Sequence, residues 1–226
     1  MFVSKLNSKQ KMNVISNFHD PKFVELLDKV VSMIFEFGIR NLNMDDISRN
    51  LGISKKTLYQ YFKSKEDLIE KIFEYDEVKW DNEFAKIDTN ELNAIEIMLF
   101  ASSVVAKEIT RLNPKLKFEL KKYYDPIYNQ FLNRKRSYIF AQISENIQKG
   151  MREGLYRSDV NVELTASLYV KNLVDMQNQD YCFFENITFD QIFYAMFETH
   201  IRAISTPEGI AYLEKRKLEL TTLNKQ

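Results

Sequence analysis

The stretch NMDDISRNLGISKKTLYQYFKSK, residues 43–65, decides how the chain is read. Asn43 stands as an N-cap, with Asp46 three residues on as the acid of a capping box. Met44, Ile47 and Leu51 follow at i, i+3 and i+7, the spacing of one helical face. Gly52 closes that short helix and Ile53 occupies the turn. Ser54 is a second N-cap, which predicts a helix from Lys55 to Phe62. Ser64, with Asp67 three residues on, opens a long helix expected to reach about residue 87. Two short helices around a Gly-Ile-Ser turn thus occupy residues 43–62.

On a helical wheel Leu58 and Phe62 share one side, so this pair faces a core. Lys56, Gln60 and Lys63 fall on the opposite side, flanked by Thr57 and Tyr59. An eight-residue helix is about 12 Å long, and the major groove of duplex DNA, about 12 Å wide, admits one such helix. Lys and Gln donate to and pair with base edges there. Tyr59, Tyr61 and Lys65 are placed to meet phosphates, and the Ser54-capped terminus offers unpaired N–H groups to an anion. The charge agrees. Arg49, Lys55, Lys56, Lys63 and Lys65 bring +5 with no acid among residues 49–65, while the whole chain is neutral, with 32 basic and 32 acidic residues. Concentrated positive charge on one motif is the footprint of a nucleic-acid contact.

Outward from this motif the pattern stays helical. Upstream, Phe23, Leu26, Leu27, Val30, Val31, Ile34 and Phe35 form an apolar stripe between Pro21 and Gly38, which suit the start and the C-terminal cap. Downstream, helices are expected over 91–112, 114–124, 126–152, 162–184, 188–205 and 206–222. Gly and Pro total 9 of 226 residues, about 4% against an average near 12%. So few turn formers speak against strands. The expected fold is all-α: an N-terminal three-helix helix-turn-helix domain joined to a larger helical body, to which the family resemblance of the motif adds ligand binding and dimerisation. The expected boundaries are an N-terminal arm over 1–21, a DNA-binding domain over 22–81 with its motif at about 43–62, and the body over 82–226.

The run from Gly52 to Leu68, GISKKTLYQYFKSKEDL, closely resembles the helix-turn-helix of the TetR/AcrR family of bacterial transcriptional repressors. The likeness extends over about residues 22–81, with Gly38, Asp46, Ile47 and Trp80 in matching places. Ser48 replaces a common Ala and Asn43 a common Ser or Thr, each keeping its local role. Lys56 stands where the family often has Gly or Pro, so base preference at that position does not transfer. The resemblance implies a DNA-binding transcriptional regulator, a repressor that holds a palindromic operator as a dimer and is released by a small-molecule effector. It implies DNA contacts by Asn43, Ser54, Lys55, Lys56, Thr57, Tyr59, Gln60, Tyr61, Lys63 and Lys65. It also implies a homodimer formed through about residues 162–205. There Leu164, Leu168, Val170, Leu173, Val174 and Met176 on one helix, and Phe189 to Ile204 on the next, supply apolar faces. The segment 150–159, with Gly150 and Gly154, resembles the family's break before those helices.

The effector is expected to be small and hydrophobic, with Phe100, Phe118, Tyr123, Tyr124, Tyr128, Phe131, Tyr138 and Tyr169 as candidate lining residues, because pockets combine apolar walls with a few polar points. Aromatics at helical spacing equally fill cores. Whether the arm at 1–21, with Lys5, Lys9 and Lys11, reaches DNA stays open.

Several classes are excluded. No phosphate-binding glycine loop, HExxH or GxSxG motif occurs, and Asp45-Asp46 is explained by the helix N-terminus it occupies, so the chain is not expected to be an enzyme. One cysteine, Cys182, and two histidines, His19 and His200, supply no metal site and no disulfide. No cofactor, metal or membrane contact is expected, and the setting is cytoplasmic and bacterial, with the nucleoid as the place of action. Cys182 reads as a buried small hydrophobe, and His200, inside an apolar stripe, as a core or interface histidine. The competing reading is a helical protein–protein adaptor with a basic surface. It accounts for helices and charge but not for caps, turn and outward Thr-Tyr-Gln-Tyr occurring together.

Overall fold

The computed structural model describes residues 18, 20–86, 88–109, 114–176 and 188–223. The expected arm and Cys182 fall almost wholly or wholly outside them. The described residues form α1 (Pro21–Phe37), α2 (Met44–Asn50), α3 (Lys55–Tyr61), α4 (Lys65–Phe84), α5 (Ala94–Ile109), α6 (Pro114–Tyr123), α7 (Asp125–Arg152), α8 (Val162–Met176), α9 (Phe189–Ile204) and α10 (Pro207–Leu223). Among them the β-structure is an isolated antiparallel bridge between Tyr156 and Ser205.

Helix starts follow the side chains that can accept a free N–H. Asp20 caps α1, Ser54 caps α3 and Ser64 caps α4. Asn43 and Asp46 complete a reciprocal box at α2: Asn43 Oδ1 accepts from the Asp46 N–H at 2.9 Å, and the Asp46 carboxylate from the Asn43 N–H at 3.3 Å. Thr188 and Gln191 do the same at α9. Gly52 has φ +67 in the turn between α2 and α3. An L side chain is disfavoured there, so glycine permits the tight reversal that places α3 against α2.

Contacts divide the chain into two compact units, one comprising 1–85 with 112–135, the other 86–111 with 136–226. The first core is built on Phe23, Leu27, Val30, Ile47, Leu58, Phe62, Leu68 and Ile69, with Phe73 stacked on Phe131 at 4.3 Å between ring centres. Thus α6 and the first turns of α7, expected within the body, pack with the helix-turn-helix. Their reason is chemical: Leu120, Tyr128 and Phe131 complete an apolar layer that α1 and α4 leave unfilled. Helix α4 ends at Phe84, about a turn short of expectation, where Trp80 stacks on Phe84 at 6.0 Å.

The second core collects Ile95, Met98, Ile143, Ile147, Tyr156, Leu173, Phe193, Phe197 and Ile201. The break at 150–159 is fastened to this core. A Cβ at Gly150 would stand 2.1 Å from the Tyr156 ring, so only glycine leaves room for that ring. The Tyr156 hydroxyl donates to Asn146 Oδ1 at 3.3 Å. The Arg157 N–H donates to the Ile204 carbonyl at 2.8 Å, tying the segment to the end of α9.

Candidate nucleic-acid interface

Helix α3 is held by its apolar side. Leu58 and Phe62 are fully buried, as the wheel requires, and Phe62 packs on Phe23 with ring centres 5.7 Å apart. The other side is open: Lys55, Lys56, Tyr59 and Gln60 are exposed, as is Lys63 just beyond. Tyr59 retains 49% of its surface. Among the described residues Lys56 and Lys63 form no ion pair. Both are open to an external anion.

The other expected contacts are partly committed within the protein. Lys55 pairs with Asp45 and Arg49 with Asp46, so α2 supplies counter-charges to two of the five cations. The Thr57 hydroxyl lies 2.8 Å from Ser54 Oγ, and the Thr57 N–H donates to that same oxygen at 3.0 Å. Thr57 is half-buried and helps fix the cap. Tyr61, expected at a phosphate, stacks on Phe23 at 5.9 Å and packs against the core, because the Phe62 side of α3 turns its ring inward. Lys65 is half-buried with its ammonium 5.9 Å over the Tyr124 ring, and burial lowers its pKa. Asn43 is exposed and its side-chain oxygen caps α2. Sequence reasoning could not see the Lys55–Asp45 and Lys65–Tyr124 contacts, since they depend on packing between elements.

The eight aromatics expected around an effector divide between the two units. Tyr128 and Phe131 are buried in the first core and Tyr124 lies against it. Phe118 and Tyr123 are exposed at 62% and 40%. Phe100 and Tyr138 are half-buried in the second unit, where Tyr169 is buried. Periodicity tells which helix face is apolar but not which core that face joins. An open cleft of about 1170 Å³ lies between α8 and α9, with Tyr169, Met176, Ile192, Met196 and His200 in its walls. The His200 ring lies 4.6 Å from Tyr169, and burial pushes its pKa down to about 4. Leu164 and Leu168 on α8 and Tyr194 on α9 remain exposed at 63%, 61% and 50%, whereas Val170, Leu173 and Met176 are buried. The interface candidates of α8 therefore split into an inward and an outward set.

A capped, solvent-facing second helix, set by a glycine turn on a buried leucine and phenylalanine, defines a helix-turn-helix DNA-binding protein. Residues 26–72 match the family described as bacterial regulatory proteins, tetR family. Residues 26–72 thus carry a TetR-type DNA-binding region, and the chain is a DNA-binding transcriptional regulator. It is 24% identical over 173 residues to the HTH-type transcriptional regulator YvaF of Bacillus subtilis, a match spanning 74% of this chain and 88% of that protein. It is 24% identical over 147 residues to the HTH-type transcriptional repressor KstR2 of Rhodococcus jostii, spanning 62% and 70% of the two chains. The crystal structure of a transcriptional regulator from Cytophaga hutchinsonii shares the fold, with a TM-score of 0.64 at 16% identity, over 83% of this chain and all of that one. Among the described residues no helix is long and apolar enough to cross a membrane, and no group of three or more acidic, His or Cys side chains could hold a metal.

Proposed function

We propose that the protein is a repressor that binds a palindromic operator as a homodimer, acts at the bacterial nucleoid, and lets go when a small hydrophobic effector enters its second unit. The observation carrying this reading is the outward set Lys56, Tyr59 and Gln60 on a helix anchored by the fully buried Leu58 and Phe62. Lys56 and Gln60 read bases, while Lys63, Tyr59 and the Ser54-capped terminus hold phosphates. Lys65 approaches the backbone from α4, and Asn43 from α2. Lys55, paired with Asp45, positions α3 as much as it meets DNA.

One seven-residue helix makes few base contacts, so a second copy is needed. Two recognition helices related by a two-fold axis read half-sites about 34–36 Å apart or a multiple of that. The faces of α8 and α9 that carry Leu164, Leu168 and Tyr194 meet their copies to form that dimer, since apolar side chains so exposed gain most from being covered. Effector uptake falls to Phe100, Tyr138 and Tyr169, the members of the aromatic set in the second unit. Release requires the effector to bind the DNA-free dimer better than the DNA-bound one.

The test is selection of bound duplexes from a random pool, followed by gel-shift titration at several salt concentrations. A palindromic consensus is expected, with log affinity falling linearly against log salt. Retention of every sequence alike, or of none, contradicts the reading and favours a protein-binding adaptor.

A further inference from the structure

Helix α6, PKLKFELKKY, belongs to the same compact unit as the helix-turn-helix. Its one acid, Glu119, is buried, while Lys115, Lys121 and Lys122 are exposed. Glu119 fixes the helix in place: its Oε2 accepts from the Arg40 N–H at 3.2 Å and lies where a Cβ on Gly38 would press it, at 3.0 Å. The link between α1 and α2 is thereby fastened to α6. The same joint brings Arg40 onto the α6 surface, its guanidinium 5.1 Å over the Tyr123 ring. Lys122 lies 5.5 Å from both the Phe118 and Tyr123 rings.

The result is a cationic and aromatic ridge of Arg40, Phe118, Lys121, Lys122 and Tyr123. Burial raises the pKa of the neighbouring Tyr124, and Glu66 lies close enough to raise it further. A helix C-terminus favours cations through its dipole, which accounts for Lys121 and Lys122 as structure. It does not account for Arg40, which comes from another element and shares the Tyr123 ring with Lys122. Cations laid on aromatic faces are partly ordered before any partner arrives, so less side-chain freedom is lost on contact.

We infer that this ridge is a second DNA contact, gripping backbone phosphates outside the half-site read by α3. The inference rests on the regulator reading above. It favours duplex DNA over an anionic membrane because the ridge is built into the unit that carries α3, through the Glu119–Arg40 bond. Contacts of this kind add affinity and salt dependence without sequence preference.

The experiment uses the full chain and two duplexes: the palindrome selected by the wild type, and the same palindrome extended by about one helical turn on each side. Wild type should bind the extended duplex at least tenfold more tightly. The double variant K121Q/K122Q, and separately R40Q, should lose that advantage while keeping wild-type affinity for the short duplex. The salt slope on the extended duplex should fall by about 0.9 for each phosphate contact removed. K121R/K122R should restore both, and equal melting temperatures confirm intact folding. Equal binding of both duplexes by wild type, or equal loss on both by the variants, overturns the inference. So does a variant that keeps all DNA affinity and instead loses sedimentation with phosphatidylglycerol vesicles. A wild-type chain that selects no duplex overturns the regulator reading and this inference together, so the two failures are told apart by wild type alone.

Discussion

Helix α3 and the α8–α9 pair both present an open side to solvent, but the two sides are opposite in chemistry. On α3 the apolar residues are spent inward, Leu58 and Phe62 being fully buried, and the open side is polar and cationic. On α8 and α9 the inward side is equally apolar, yet Leu164, Leu168 and Tyr194 also stand out in solvent. A surface of lysine and glutamine is stable in water and waits for a charged, hydrogen-bonding partner. A surface of leucine and tyrosine is driven to be covered by more protein. The proposed function gives the first to DNA and the second to another copy of the chain.

The sharpest way to break the contrast is to remove the inward anchor of α3. Leu58→Ala should cost about 2–5 kcal/mol, since the side chain is fully buried and α3 is too short to re-pack. Thermal melting should show the loss, and DNA binding should vanish while helicity largely remains. If binding survives at full strength, α3 is not held as described.

Next comes the outward apolar face. Leu164→Glu with Leu168→Glu should weaken self-association at least a hundredfold, about 3 kcal/mol. Both residues are exposed in the chain itself, so melting of the monomer should hardly change. Light scattering and gel shift together read this out. A dimer undisturbed by the pair would place the contact elsewhere.

Gln60→Ala addresses the polar face. It should cost about 1–3 kcal/mol at one base pair of each half-site and relax preference there. Competition among single-base operator variants measures this. Equal weakening on every sequence would make Gln60 a backbone contact.

The smallest effect concerns His200. Burial holds its pKa near 4, below the usual value of 6.5, so the folded state keeps it neutral. Its contribution is therefore present above about pH 6.5. It is lost as pH falls toward 4, because the unfolded chain takes up the proton first. Between about pH 7 and pH 5.5 the loss should be about 1 kcal/mol. Urea melts at the two pH values should show it, and His200→Gln should flatten the difference.

Much of the DNA-binding unit was legible from sequence because local rules govern it. The caps at Asn43, Ser54 and Ser64 are satisfied within three residues of themselves, and the glycine at 52 answers a backbone demand at its own position. The burial of Leu58 and Phe62 follows from helical period alone. The effector aromatics were not legible in the same way. Phe118, Tyr123, Tyr128, Phe131 and Tyr169 obey the same periodicity, yet two end on the surface, two in the first core and one in the second.

Sequence by itself determined where the capped helices α2, α3 and α4 begin, which side of each is greasy, and that α3 carries an unburied basic and amide face. These depend on neighbours within a turn or two, whose separation the covalent chain sets. Tertiary structure decided that α6 joins the helix-turn-helix, that Asp45 claims Lys55, that Tyr61 turns inward, and that Arg40 meets Lys122 over one ring. Those choices bring together residues up to about eighty positions apart, and only the competition among whole faces for burial selects them.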